Sequence, residues 1–129
     1  MGKQSVAVRL DFREQEAGYP MKFAQHSDVE STDVEELAIG DMILDDDVVI
    51  ERKDTGDFVK SMLEGRIDDQ IARMYDEFGP ENTYLVVSGS LSDIDQYSWS
   101  NVNEAAVRGY VASLSARWNQ VPLFVDDAD

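Results

Sequence analysis

The first half of the chain carries the two-residue apolar period of β-strands. Four strands are predicted, and they cover residues 6–11, 29–37, 42–44 and 48–50. The last two flank the run from Asp45 to Asp47, which predicts a hairpin loop because the apolar pattern resumes directly after it. Pro20 stands where a first helical residue would, and it predicts one or two helical turns over residues 21–24.

The second half carries the three- and four-residue period of an amphipathic helix. That period runs from Phe58 to Phe78, with an interruption expected at Gly65, and Gly79-Pro80 ends it. Three further elements are predicted, namely a buried strand over residues 83–87, a helix over residues 103–118 capped by Asn103, and a last strand over residues 121–125. Elements in this order predict an α/β fold with a mixed central sheet flanked by helices.

Length and composition favour one domain over residues 1–129. The chain has 129 residues, of which 43% are hydrophobic, and this is enough to bury a core. No segment approaches the roughly 18 consecutive apolar residues of a membrane span. The start, Met1-Gly2-Lys3-Gln4-Ser5, lacks the apolar run of a signal peptide. We therefore expect a cytoplasmic protein with no membrane partner.

The lack of cysteine and the single histidine, His26, restrict the chemistry of any metal site. Without cysteine the chain has no disulfide, no thiolate zinc site and no cysteine nucleophile, and one histidine excludes a polyhistidine site. A metal ion would have to be held by carboxylates.

The chain is strongly acidic, with 27 Asp and Glu against 11 Lys and Arg and a formal net charge of -16. This charge opposes binding to the phosphate backbone of DNA. At about 1 M salt the Debye length falls to about 3 Å, so an acidic surface can coexist with DNA binding in a salt-rich cytoplasm. We interpret the acidity as salt adaptation, although an acidic DNA mimic or a partner-binding surface would have the same composition.

Two carboxylates and a lysine around the predicted hairpin form a candidate hydrolytic site. Asp41 precedes the hairpin and Glu51 lies on its returning strand, so the two side chains can converge on one hard cation. Lys53 shares a strand face with Glu51 by the two-residue alternation and would add positive charge beside an attacking water. Short charged patterns also arise by chance. Asp41 could be a turn former, Glu51 and Lys53 a solvated edge, and Asp57 a helix N-cap.

The same segment resembles the signature of the XPF-type flap nucleases, to which the archaeal Hef nuclease belongs. Gly40-Asp41 resembles the family's GD motif, and residues 49–58, VIERKDTGDF, resemble its V-x-E-R-K-x-x-x-D-F motif. Residues 11–14, DFRE, resemble its D-x-R-E motif, and residues 61–70 and 107–109 resemble its following helices. These matches occur in the family's order and cover nearly the whole chain.

The resemblance implies a restriction-endonuclease-like core that cuts branched DNA at flaps or forks with Mg²⁺ or Mn²⁺. It implies Asp41 and Glu51 as metal ligands and Lys53 as the residue that positions the attacking water. It also implies supporting catalytic roles for three neighbours. Arg52 would contact phosphate or buttress the site, and Asp57 would support the metal site or its lysine. Asp11, with Glu14, would lie at the margin of the site. The candidates for DNA contact are Arg13, Arg66 and Gln70.

Two departures from the family pattern affect these expectations. Val87-Ser88-Gly89 stands where the family often has an acidic residue, so the role of that carboxylate is lost or moved. The helix-hairpin-helix module that the family appends is not in this chain, so we expect a homodimer or a separate DNA-binding partner. The alternative function is a catalytically silent XPF-like module for interaction or dimerisation.

Overall fold

A computed structural model of the chain describes residues 5–17, 25, 27–96 and 102–125. The predicted helix over residues 21–24 and His26 lie outside these ranges. Within them, a six-stranded mixed sheet has the order β2-β1-β3-β4-β5-β6. The strands are β1 (Val6–Asp11), β2 (Val29–Glu35), β3 (Met42–Leu44), β4 (Val48–Asp54), β5 (Thr83–Ser88) and β6 (Leu123–Val125).

Three α-helices belong to the described part of the chain: α1 (Thr55–Leu63), α2 (Arg66–Phe78) and α3 (Glu104–Trp118). The predicted long helix is divided at Gly65, as expected, because this glycine adopts a φ of 71° that ends one helix and begins the next. Asn103 caps α3 by accepting a hydrogen bond from the N–H of Ala106. None of the helices described is long and apolar enough to cross a membrane.

The sheet combines an antiparallel centre with parallel flanks. β3 runs antiparallel to both β1 and β4, whereas the pairs β1–β2, β4–β5 and β5–β6 are parallel. Parallel neighbours need a crossover. α1 and α2 form the crossover between β4 and β5, and α3 lies in that between β5 and β6. The predicted mixed sheet with flanking helices is therefore confirmed.

Each face of the sheet carries its own core. The larger core lies between the sheet and the helices, and its most buried members include Val49, Phe58, Ile71, Leu85 and Val87. The smaller core, on the opposite face, consists of Val8, Leu10 and Met42 with partly buried neighbours. Val49 of β4 is buried on the helix side of the sheet. Since side chains alternate along a strand, Glu51 and Lys53 share that side, and Ile50 and Arg52 point to the opposite side.

Candidate active site

The register of the β3–β4 hairpin places Asp41 opposite Glu51. Ile43 pairs with Val49, and both are buried in the larger core. Asp41 lies two residues before Ile43 and Glu51 lies two residues after Val49, so both carboxylates point to this helix-covered face. The N–H of Asp41 donates to the carbonyl oxygen of Ile50 at 2.9 Å, which extends the ladder to the site.

Gly40 allows the chain to reach this position. Its φ is +77°, and a Cβ built there would overlap Cγ2 of Val49 and lie 3.4 Å from the carbonyl oxygen of Ile50. Both the left-handed backbone and the close approach to β4 favour glycine. The glycine before Asp41 is thus a geometric requirement of the turn.

The carboxylate of Asp41 is largely buried. Asp41 is 7% exposed, and its Oδ2 accepts a hydrogen bond from the N–H of Arg52 at 2.8 Å. Burial and then the charge of Glu51 raise the pKa of Asp41 to about 7, although the Arg52 N–H opposes this rise. Two neighbouring carboxylates with little water around them resist being ionised together unless a cation compensates their charge.

Lys53 lies on the same strand face as Glu51. Its Nζ is 3.4 Å from Oε2 of Glu51, and the two side chains are only 8% and 15% exposed. An ammonium group held at this distance beside the carboxylate pair can hydrogen-bond a water molecule or a phosphate oxygen that enters the site. Arg52, between them, points to the opposite face by strand alternation.

The β3–β4 hairpin brings together two carboxylates, those of Asp41 and Glu51, as candidate ligands for a divalent cation. In the ranges that the structure describes, no group of three or more His, Cys, Asp or Glu side chains could hold a metal ion. Mg²⁺ keeps several of its waters, however, and is commonly bound by one or two carboxylates together with substrate phosphate oxygens. Asp41 and Glu51, whose charges repel one another, fit that open kind of site.

The end of β1 supports the turn that carries Asp41. The N–H of Asp11 donates to the carbonyl oxygen of Asp41 at 2.8 Å. The buried Asp11 carboxylate accepts from the N–H of Leu37 at 2.9 Å and from both the backbone N–H and Nε of Arg13. Burial opposes ionisation, but these hydrogen bonds hold the pKa of Asp11 below its ordinary value. Arg13 Nη2 in turn lies 3.9 Å from Oδ1 of Asp41.

Arg52 forms an ion pair with the buried carboxylate of Glu14. Its Nε donates to Oε2 of Glu14 at 2.6 Å, and the two side chains are 20% and 5% exposed. Glu14 lies in a short 3₁₀ helix, Phe12–Ala17, that follows β1. The pair therefore links this segment to β4, and it buttresses the strand that carries the candidate catalytic residues.

The remaining residues from the sequence analysis are dispersed. Asp57 is exposed in the first turn of α1, and its N–H donates to Oδ1 of Asp54 at 2.8 Å. Asp54 is therefore the N-cap, and the alternative of Asp57 as N-cap is wrong. Arg66 pairs with Glu64 at 2.8 Å outside the site. Among the described residues no hydrogen bond or ion pair joins Asp57 to the Asp41–Glu51 pair, so its catalytic role stays a prediction.

Ser88, where the resembled family often has an acid, lies at the end of β5 opposite Asp54. It is buried, and its hydroxyl has no hydrogen-bond partner within the described ranges. The structure thus places a small neutral side chain, without a carboxylate, at this strand end.

A small cavity of about 200 Å³ adjoins Glu51. One of the residues that line it, Arg73, was missed by the sequence analysis. Gln70 and Arg73 of α2 line it, with Arg13 and Glu51. Gln70 and Arg73 are three residues apart, which is the spacing of neighbours on one helix face. Because Gln70 was already a candidate for DNA contact, this spacing could have pointed to Arg73 in the sequence.

The fold and this site define a restriction-endonuclease-like α/β domain, with a carboxylate pair and a lysine on a hairpin of the mixed sheet. Two solved structures of XPF from Aeropyrum pernix, one of them in complex with DNA, have this fold, with TM-scores of 0.78 and 0.76 at 23% sequence identity. Each match covers 94% of this chain and 54% or 56% of the other.

The chain belongs to the ERCC4 domain family, whose model matches residues 10–128. It is 32% identical over 74 residues to the 3'-flap repair endonuclease Xpf of Saccharolobus solfataricus. That match covers 56% of this chain and 31% of the relative. The chain therefore spans about a third of this curated relative and about half of each solved XPF chain.

Proposed function

We propose that the chain is the catalytic domain of a metal-dependent endonuclease that cuts branched DNA, at flaps or forks, in repair or replication restart. The observation that carries the proposal is the placement of Asp41 opposite Glu51, with Lys53 on the same face, in a member of the ERCC4 domain family. The name of the S. solfataricus relative, a 3'-flap repair endonuclease, and the XPF structure in complex with DNA support the substrate class.

The roles of the residues follow from their positions. Mg²⁺ or Mn²⁺ held by Asp41 and Glu51 would neutralise phosphate charge and lower the pKa of a bound water. Lys53 orients the attacking water and stabilises the negative charge that develops on the phosphate. The attacking water gives up a proton to solvent and its oxygen forms a bond to phosphorus, while the bond to the leaving oxygen breaks and solvent protonates that oxygen. Asp11 and the N–H of Arg52 hold Asp41 in place.

The test is cleavage of labelled duplex, flap and fork DNA with Mg²⁺ or Mn²⁺, in ordinary buffer and in molar KCl. Glu51→Gln removes one proposed ligand and is expected to abolish cutting, whereas Glu81→Gln, at an exposed acid outside the site, should cut like the wild type. Cutting that needs metal and is lost only in Glu51→Gln supports the proposal. Well-folded wild-type protein that cuts nothing in either salt would favour the silent interaction module.

We also propose that the protein works in a salt-rich cytoplasm. The support is the net charge of -16, which at low ionic strength repels both DNA and the protein's own surface. DNA binding and thermal stability should therefore both increase between ordinary buffer and molar KCl, against the usual weakening of DNA binding by salt. A monotonic loss of binding and no gain in stability over the same range would contradict salt adaptation.

A homodimer is the third part of the proposal. Four large apolar side chains near the β6 edge are exposed, namely Tyr84 (50%), Val121 (65%), Leu123 (60%) and Val125 (37%). The β5–β6 register puts Tyr84, Leu123 and Val125 on the face away from the larger core. Apolar groups gathered in this way are typical of an interface. Light scattering should give a dimer for the wild type and a monomer for Leu123→Lys, and a monomeric wild type at all concentrations would refute this part.

A further inference from the structure

Two arginines from distant parts of the chain border the cavity beside Glu51. Arg13 follows β1 and Arg73 belongs to α2, and both line the same space of about 200 Å³. Gly40, which precedes Asp41, lines it as well. A group that enters this cavity would therefore meet a cationic side chain on each of two elements while it lies next to Glu51.

Arg73 has a feature that the other six arginines of the described ranges lack. Arg73 is exposed, and no hydrogen bond or ion pair joins its guanidinium to any residue in the described ranges. By contrast, each of the other six forms an ion pair with a carboxylate; they are Arg9, Arg13, Arg52, Arg66, Arg108 and Arg117. In a chain with 27 acidic residues, an arginine that keeps its donors free in the cavity beside Glu51 is available to an external anion.

Gln70, which lines the same cavity, adds a second polar group without a hydrogen-bond partner in the described ranges. Its Oε1 is buried and has no hydrogen-bond partner in the described part of the structure. A buried acceptor without a partner costs free energy, and a bound water or other donor at the cavity would satisfy it. The cavity therefore combines unused donors of Arg73 with an unused acceptor of Gln70, and a hydrated phosphate could use both.

We propose that Arg73 binds a phosphate of the cut DNA strand next to the scissile phosphate, so that the strand is held across the Asp41–Glu51 pair. A guanidinium presents paired N–H donors that match two phosphate oxygens. It also offsets the repulsion that the two carboxylates exert on the approaching backbone. This assignment rests on the proposed nuclease function, and it adds a positioning residue to it.

The experiment compares wild type, Arg73→Ala and Arg73→Lys in the full chain, with Arg108→Ala as the matched control. Arg108 is exposed on α3 and pairs with Glu104, so its loss changes the net charge equally but far from this cavity in the sequence. Binding of labelled flap DNA is measured with Ca²⁺ over a series of KCl concentrations, and cleavage with Mg²⁺. Thermal unfolding of each variant shows whether it folds.

Arg73→Ala is expected to raise Kd and KM roughly tenfold to a hundredfold with little change in kcat, because a phosphate contact acts on ground and transition states alike. Relative to wild type, the slope of log K against log salt should become more positive by about 1 in Arg73→Ala, because one phosphate contact fewer releases one counterion fewer. Arg73→Lys should keep most of the wild-type slope. A purely structural role would alter the melting temperature without changing that slope.

The outcomes separate the two proposals. If the wild type cuts DNA and Arg73→Ala behaves like Arg108→Ala, the phosphate contact is wrong and the nuclease proposal stands. If the wild type binds but does not cut, and Arg73→Ala loses affinity with the more positive slope, the contact of Arg73 with a DNA phosphate stands and the nuclease proposal is wrong. A wild type that neither binds nor cuts overturns both.

Discussion

Asp41 is expected to destabilise the metal-free protein, and Asp41→Asn tests this expectation. The pKa of Asp41 is about 7 in the folded chain, against an ordinary value of 3.8, because of burial and the charge of Glu51. Between these pH values the folded state binds a proton that the unfolded state releases. The free energy of unfolding of metal-free wild type should therefore fall as pH rises through this window.

The expected magnitude follows from the same difference. A rise from 3.8 to about 7 corresponds to about 4 kcal/mol of unfavourable free energy above neutral pH. The amide introduced by Asp41→Asn would keep an oxygen that accepts the Arg52 N–H but would carry no charge. In the absence of metal, this variant should thus be more stable than wild type at pH 8 by up to about 4 kcal/mol, or roughly 10 °C or more in Tm. At pH 4 the two proteins should be nearly equal.

The assay is thermal unfolding followed by circular dichroism from pH 4 to pH 8, with EDTA and with Mg²⁺. Mg²⁺ at a hundred times its Kd should add about 2.7 kcal/mol to the wild type and nothing to Asp41→Asn. Asp76→Asn, at an exposed carboxylate of α2, is the matched control and should follow the wild type. The reasoning is refuted if Asp41→Asn gains no stability at pH 8, or if Mg²⁺ stabilises both proteins equally.

Three further changes test the surroundings of the site, and a fourth serves as a control. Lys53→Ala should reduce cleavage at least a hundredfold while flap binding with Ca²⁺ persists, and a loss confined to binding would count against its catalytic role. Glu14→Ala removes the buried carboxylate that accepts from Nε of Arg52 and should cost about 2 kcal/mol in urea unfolding, whereas a cost under about 0.5 kcal/mol would contradict the buttress. Gly40→Ala adds a Cβ that overlaps the neighbouring strand at positive φ, and should cost about 2 kcal/mol and impair cleavage. Gly109→Ala, where a Cβ meets nothing within 4 Å, should instead stabilise α3 slightly.

The strands and helices could be predicted because apolar periodicity records which side chains face the core. The hairpin of β3 and β4 and the break at Gly65 follow from local signals. The order of the sheet does not, because the parallel pairing of β1 with β2 depends on contacts between distant segments. The last strand begins at Leu123, later than the predicted residue 121, and the preceding Pro122 has no N–H for the sheet ladder.

The site was predictable to the extent that it lies on one hairpin. Two-residue alternation puts Glu51 and Lys53 on one face, and the turn after Gly40 puts Asp41 near them. Arg73 could not be found in this way, since its approach to Glu51 depends on how α2 packs on the sheet. The N-cap of α1 is Asp54, which the sequence analysis had not considered, because β4 continues past residue 50 and brings the helix start to this residue.

The acidic hairpin turn has a consequence for the whole motif. Asp45 and Asp46 adopt φ values of 51° and 61°, and the N–H of Asp47 donates to the carbonyl oxygen of Leu44 at 3.0 Å. A turn of this geometry fixes the pairing of β3 with β4. One residue lost there would slip β4 past β3 and exchange the faces of its side chains, so that Arg52 would stand opposite Asp41. One residue gained would instead put Ile50 there. The length of a solvent-facing loop therefore decides which side chain stands opposite Asp41.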